Sequence, residues 1–286
     1  MKAVRLIAAL LSFVLLPGCA GISQAPPQRL LTAIELNNQA ADALARGEYP
    51  LAERLYLKSL AHDRAIENTD GVAINLIGLA VTYKKANRPD DALRVAGLVT
   101  ASALHGVSFQ RLAEAELLSA SVLMAKSDWA GAARFVGEVE SLCSQRTCEI
   151  DGRLANLKAQ LAIVDDRISD AAILAKRAIQ SAEAANDREE LANALRVAAN
   201  ASLYASPLEG IGFIEQALNI DKSLALSDKI FRDLVLMGRL YWATENRPLS
   251  AQSFFRARLV AEGGNNSEGL REVSLLEREL GINHEK

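Results

Sequence analysis

The chain has 286 residues, a formal net charge of −3 and half its residues hydrophobic, enough for one large domain or two ordinary ones with a buried core. Aromatic residues make up only 5%, so the core must be built from Ala, Leu, Ile and Val, which suits helices better than a sandwich of strands. Mild acidity without a basic run removes any electrostatic reason to expect nucleic acid as a partner.

The first predicted element lies at the start, "MKAVRLIAALLSFVLLPGC", where Lys2 and Arg5 precede an apolar run from Leu6 to Leu16. A permanent spanning helix needs about 20 apolar residues, so this shorter run reads as a secretory signal peptide over residues 1–18. Its ending "LPGC" resembles the lipobox of bacterial lipoproteins, with Pro17 where Ala, Ser or Thr is usual. That resemblance implies that Cys19 becomes the lipid-bearing first residue of the mature chain. Each buried methylene contributes about 0.8 kcal/mol, so several acyl chains would hold the protein on a membrane without crossing it. Ala20, being other than Asp, resembles the sorting pattern of outer-membrane lipoproteins that face the periplasm. Residues 19–31 carry Gly21, Pro26 and Pro27 without periodicity and read as a short tether.

From residue 32 to 263 the chain repeats itself. "ANRPDDA" (86–92) returns as "ENRPLSA" (245–251), 159 residues later, which fits four periods of about 40. Weaker copies fill the remaining sequence: "ARGEYPLAERLYLKSL", "AKSDWAGAARFV", "VDDRISDAAILAKRAI" and "LYASPLEGIGFIEQAL". In each, a helical pattern stops at a small polar turn and a second helix follows. Its early small residues, Ala52, Ala92, Ala132, Ala171, Gly210 and Ala251, are spaced 40, 40, 39, 39 and 41. Pro50, Pro89, Pro207 and Pro248 all fall where a second helix starts, a position that needs no N–H from them.

This pattern resembles the tetratricopeptide repeat (TPR). The matching residues are Gly47, Tyr49, Ala52 and Tyr56 in the first copy, and Leu79, Ala80, Tyr83 and Ala92 in the second. Phe255 stands one turn beyond Ala251, and Ala175 and Ala178 close the fourth copy. The period of about 40 departs from the usual 34 and matches a longer-helix subgroup. The resemblance implies an all-α, right-handed solenoid of six helical hairpins. "SEGLREVSLLEREL" then reads as a capping helix within residues 264–286, with Ser267 at its start and Leu270, Val273, Leu276 and Leu280 on one face.

Of three cysteines, Cys19 is assigned to lipid, and Cys143 and Cys148 in "SLCSQRTCE" are expected to pair in an oxidising compartment. Pairing requires a helix to end between them, because residues five apart on one helix diverge. His62, His105 and His284 read as solvated, and Asp90, Asp91, Asp165 and Asp166 as helix-start and turn acids. No phosphate loop, metal-binding or nucleophile motif occurs, so no enzyme, metal or cofactor is expected.

In the TPR family the first helices of successive units line a concave groove. The resemblance therefore implies a protein-binding face including Asn37, Lys84, Leu117, Ser121, Asn156, Gln160, Leu195 and Arg196. The expected function is a non-enzymatic scaffold anchored to the outer membrane by lipid, binding envelope or periplasmic proteins. The alternative is capture of a small molecule or glycan in the same groove.

Overall fold

A computed structural model of the chain describes residues 27–101, 106–144 and 148–282. The signal segment, Cys19, most of the tether, His105 and His284 lie outside the described residues. Among the described residues there are thirteen α-helices and no strand. They are α1 (Gln28–Ala45), α2 (Tyr49–Arg64), α3 (Thr69–Lys85), α4 (Pro89–Thr100), α5 (Phe109–Ala125), α6 (Trp129–Cys143) and α7 (Asp151–Val164), followed by α8 (Ile168–Ala185), α9 (Arg188–Ala205), α10 (Pro207–Ser223), α11 (Ser227–Ala243), α12 (Arg247–Gly263) and α13 (Ser267–Glu279). Each odd-numbered helix from α1 to α11 packs on the helix after it, making six serially stacked hairpins, and α13 covers α12. This is a TPR-like α-solenoid.

Local chemistry sets the boundaries. Pro50, Pro89, Pro207 and Pro248 occupy the first or second position of α2, α4, α10 and α12, where a missing N–H is harmless. Asn68, Asp128, Asp187, Asn246 and Asn266 cap α3, α6, α9, α12 and α13 by accepting a backbone N–H. Thus Asn266, rather than Ser267, caps the last helix, and its Oδ1 accepts from Gly269 N at 2.8 Å. At the other end α1 begins at Gln28, inside the stretch read as tether, because Pro27 marks its N-cap. Helices end on left-handed residues: Gly47, Asn87, Ser127, Asp166 and Glu245 stand at the elbows within hairpins.

Those elbows correct the phase of the repeat. Asn87 is the left-handed residue of the second hairpin and Arg88 the N-cap of α4, whereas Glu245 is left-handed in the sixth and Asn246 is the N-cap of α12. The two Asn-Arg-Pro segments are therefore one residue out of register. The small residue four positions after the cap is Ser250, not Ala251; it is fully buried, and its Oγ donates to Gly238 O at 2.8 Å. One turn on, Phe254 enters the core, and Phe255 faces outward.

Packing follows from these small contacts. Ala52, Ala92, Ala132 and Ala171 have no exposed surface, so the paired helices approach closely. Larger side chains fill either end of the stack: Tyr56, Leu76 and Leu79 in the first hairpins, and Ile214, Leu234, Leu240 and Phe254 in the last. Val273 on α13 is fully buried, and Leu270, Leu276 and Leu280 pack against the same core, so the amphipathic helix closes it. In the middle, α7 to α9 meet largely through alanines, among them Ala155, Ala178, Ala194, Ala162 and Ala201.

Successive odd helices touch one another along the whole stack, from α1·α3 to α9·α11, whereas among the described residues successive even helices have no contact as extensive. The odd row is consequently the inner, concave one.

Candidate functional site

The inner row carries a polar track. Near its N-terminal end, Asn37 Nδ2 donates to Asn75 Oδ1 at 3.0 Å, and Asn75 Nδ2 donates to Asp63 Oδ2 at 2.7 Å. Asn68 Nδ2 supplies the other Asp63 oxygen at 2.7 Å, so this buried carboxylate is matched by amides. Burial raises the Asp63 pKa, and the two amide donors oppose it.

Toward the C-terminal end the same layer is ionic. Arg196 on α9 reaches Asp233 Oδ1 through Nε at 2.5 Å and pairs with Asp221 through its Nη2. Neither aspartate has any exposed surface. Among the described residues Asp221 Oδ1 and Asp233 Oδ2 find no donor, and the two carboxylates act on each other, an arrangement in which they can share a proton. Desolvation pushes the Asp233 pKa up to about 7 against the pull of Arg196, and it raises Asp221 as well.

Between these ends side chains of α3 and α9 meet across the stack. Lys85 at the end of α3 lies 3.4 Å from Glu189 at the start of α9, a contact between residues 104 positions apart. Lys229 of α11 donates to the same Glu189 oxygen at 2.9 Å and to Asn193 Oδ1 at 2.9 Å. Desolvation disfavours the Glu189 carboxylate, but the hydrogen bond and charge of Lys229, joined by Lys85, hold it below the usual carboxylate range. Glu190 accepts from Asn156 at 2.9 Å and from Asn193 at 3.1 Å. Lys84 donates to Ser121 Oγ at 2.8 Å.

Of the residues expected to line the groove, Lys84 is exposed and Asn37, Ser121, Gln160 and Arg196 are half-buried. Leu117, Asn156 and Leu195 are buried: at 4%, 4% and 3% exposure they point into the layer between helices. The register carried over from the small residues turned these three helix faces too far inward, and a leucine in a close-packed layer gains more from burial than from the groove. The sequence reading missed Lys85, Glu189, Glu190, Asn193, Lys229, Arg232, Asp221 and Asp233. Its available signal was a pair of doublets, Lys84-Lys85 and Glu189-Glu190, whose opposite charges only the curvature of the stack brings together.

Away from the groove, the sulfurs of Cys143 and Cys148 lie 1.98 Å apart in a bond that joins the end of α6 to the approach to α7. Those two helices touch least of all consecutive pairs. The bond borders a cleft of about 340 Å³ between α6, α7 and α8, where Glu140 pairs with Lys158 and Asp151 with Arg177. The charges that line the cleft already satisfy one another. Among the described residues no group of three His, Cys, Asp or Glu is placed to hold a metal, and no helix is long and apolar enough to cross a membrane.

The comparisons agree with this geometry. The tetratricopeptide repeat family matches residues 31–101. Solved structures of similar fold include a chain of the APC/C hetero-tetramer Cut9–Hcn1, with a TM-score of 0.62 and 14% identity over 85% of this chain. The apo form of RapI follows with a TM-score of 0.57 and 12% identity over 86% of this chain and 72% of its own. BtubC (BKLC) from P. vanneervenii gives 0.52 and 14% over 84% of this chain and 93% of its own. This chain spans 43% of the length of the Cut9–Hcn1 chain. At these identities the likeness is one of fold. No curated protein sequence matches the chain.

Proposed function

We propose that this protein is an exported, non-catalytic scaffold, held on the outer membrane through lipid on Cys19, whose concave odd-helix face binds other envelope proteins. The observation that carries the binding half is the polar track itself. It places Lys84 and Lys85 of α3, Ser121 of α5, Gln160 of α7, Glu189 and Asn193 of α9 and Lys229 of α11 along one curved row, where a partner can be contacted at many points. The Cys143–Cys148 bond supports the exported half, since disulfides persist in oxidising compartments. The run from Leu6 to Leu16 followed by Cys19 supports the anchor.

Two measurements test the two halves separately. A photo-crosslinking amino acid placed at Gln160 or Ser121 should yield defined protein adducts in living cells. Adducts missing from both sites, together with thermal stabilisation by a small molecule or glycan, would replace the scaffold by the ligand-capture reading. Labelled palmitate should enter the wild-type chain and be lost in Cys19→Ser; incorporation that survives the substitution removes the anchor.

A further inference from the structure

In a chain of net negative charge, four cations stand near one another on the inner face: Lys85 of α3 and Lys229 of α11 share the Glu189 carboxylate, Lys84 precedes Lys85, and Arg232 follows Lys229 by one turn. Two acids of α9 stand among them, and both are already engaged, Glu189 by Lys85 and Lys229, Glu190 by Asn156 and Asn193. Lys84 donates to a serine hydroxyl, and Arg232 is exposed; among the described residues neither makes an ion pair. Desolvation by the surrounding helices, followed by the charges of Lys229, Lys85 and Arg232, pushes the Lys84 ammonium down to about 8 against the pull of Glu190. Lys84 stays open to water, which screens part of that crowding.

Like charges held together on a concave surface repel one another, and the surplus is relieved when an anion arrives. We propose that this cluster is the docking point for an acidic segment of a partner protein. Its side-chain carboxylates pair with Lys84 and Arg232 and take Lys85 from Glu189. The inference rests on the scaffold reading and names the chemistry of its partner. Glu189 and Glu190 select the kind of anion: standing between the cations, they repel a ligand of continuous charge such as polyphosphate or nucleic acid. An extended chain with spaced carboxylates can avoid them. Gln160, half-buried on α7 one turn from Asn156, is free to bond the backbone of such a segment.

The test uses the full-length chain in non-ionic detergent and a short fluorescein-labelled peptide of alternating Glu and Ala, read by anisotropy at low salt. The Lys-Ala counterpart, inorganic polyphosphate and phosphatidylglycerol vesicles serve as competitors. The acidic peptide should bind, and Lys84→Ala with Arg232→Ala should weaken it by about tenfold or more, with the helical circular dichroism unchanged. Glu189→Gln should tighten it by about threefold by releasing Lys85. Affinity should fall as pH rises through about 8, because binding requires the Lys84 ammonium, which faces Lys85 on its own helix, Ser121 on α5, Glu190 on α9, and Lys229 and Arg232 on α11. Failure of the acidic peptide to bind, equal binding by the double variant, or stronger competition by polyphosphate or vesicles would each overturn the proposal. If crosslinks to protein partners persist at Gln160 while the acidic peptide fails, this inference falls and the scaffold reading stands.

Discussion

The joint between the first and second hairpins and the joint between the fifth and sixth use the same three-dimensional slot for different chemistry. Asp63 and Asp221 both stand five residues before the N-cap of the next helix, and Asn75 and Asp233 both stand seven residues after it. In the first joint an aspartate meets two amide donors and the set is closed. In the fifth, two aspartates meet one arginine, one acid is in surplus, and burial holds Asp233 toward its protonated form. The backbone of a repeat fixes where a buried polar group can stand; it does not fix the protonation chemistry found there. One end of the stack therefore has its buried acid matched by amides, and the other carries an acid that titrates near neutral pH.

The sharpest way to break the comparison is to remove the third member of each set. Arg196→Ala leaves two aspartates without exposed surface unpaired, and the loss should be about 3–5 kcal/mol in urea or thermal unfolding. Asn37→Ala deletes one neutral, part-buried hydrogen bond and should cost about 1 kcal/mol. Similar losses from the two variants would show that the ionic joint is no more than an amide joint in disguise.

Exchanging the chemistry is the next test. The folded-state pKa of Asp233 lies above its unfolded value, so its protonation stabilises the fold fully below about pH 4. That contribution is lost as pH rises through about 7. Asp233→Asn should remove this term, giving a gain of about 1–2 kcal/mol at pH 8 and little change at pH 5. Glu116, also pushed to about 7 by burial and by Glu138, adds the same slope to both proteins, so the difference between them is what reports Asp233. The reverse exchange, Asn75→Asp, sets a second acid beside Asp63 with no arginine and should transplant the pH dependence to the first joint at a cost of about 3 kcal/mol at pH 8. A flat difference profile for both exchanges would refute the shared-proton account.

The smallest expected effects lie in the elbows of the same two ends. Gly47 has φ of +76° with nothing within 4 Å of the methyl group that alanine would add, so Gly47→Ala should cost about 1 kcal/mol through backbone conformation alone. Glu245 holds φ of +60° in the last elbow, and Glu245→Gly should gain up to about 1 kcal/mol there. Thermal midpoints shifting in opposite directions would confirm that the elbows are equivalent.

How far the site was legible follows from distance along the chain. Lys84 and Ser121 could be placed on one face from sequence because they belong to adjacent units, and a Lys84–Ser121 hydrogen bond of 2.8 Å joins them. Leu117 and Leu195 look no different from groove leucines until their neighbours are packed around them. Asn-Arg-Pro looks like one motif twice, and only the caps reveal that Arg88 and Asn246 do the same job one letter apart.

By itself the sequence determined an all-helical stack with a period near 40, its elbows, its cap and its alanine contacts, because each of these is enforced by chemistry within one hairpin or between neighbours. The tertiary structure alone decided that α3 would face α9, that Lys85 would find Glu189, and that Arg196 would have two aspartates to serve. Superhelical curvature is the accumulated sum of small rotations between units, so a residue three hairpins away becomes a neighbour without any local pattern to announce it.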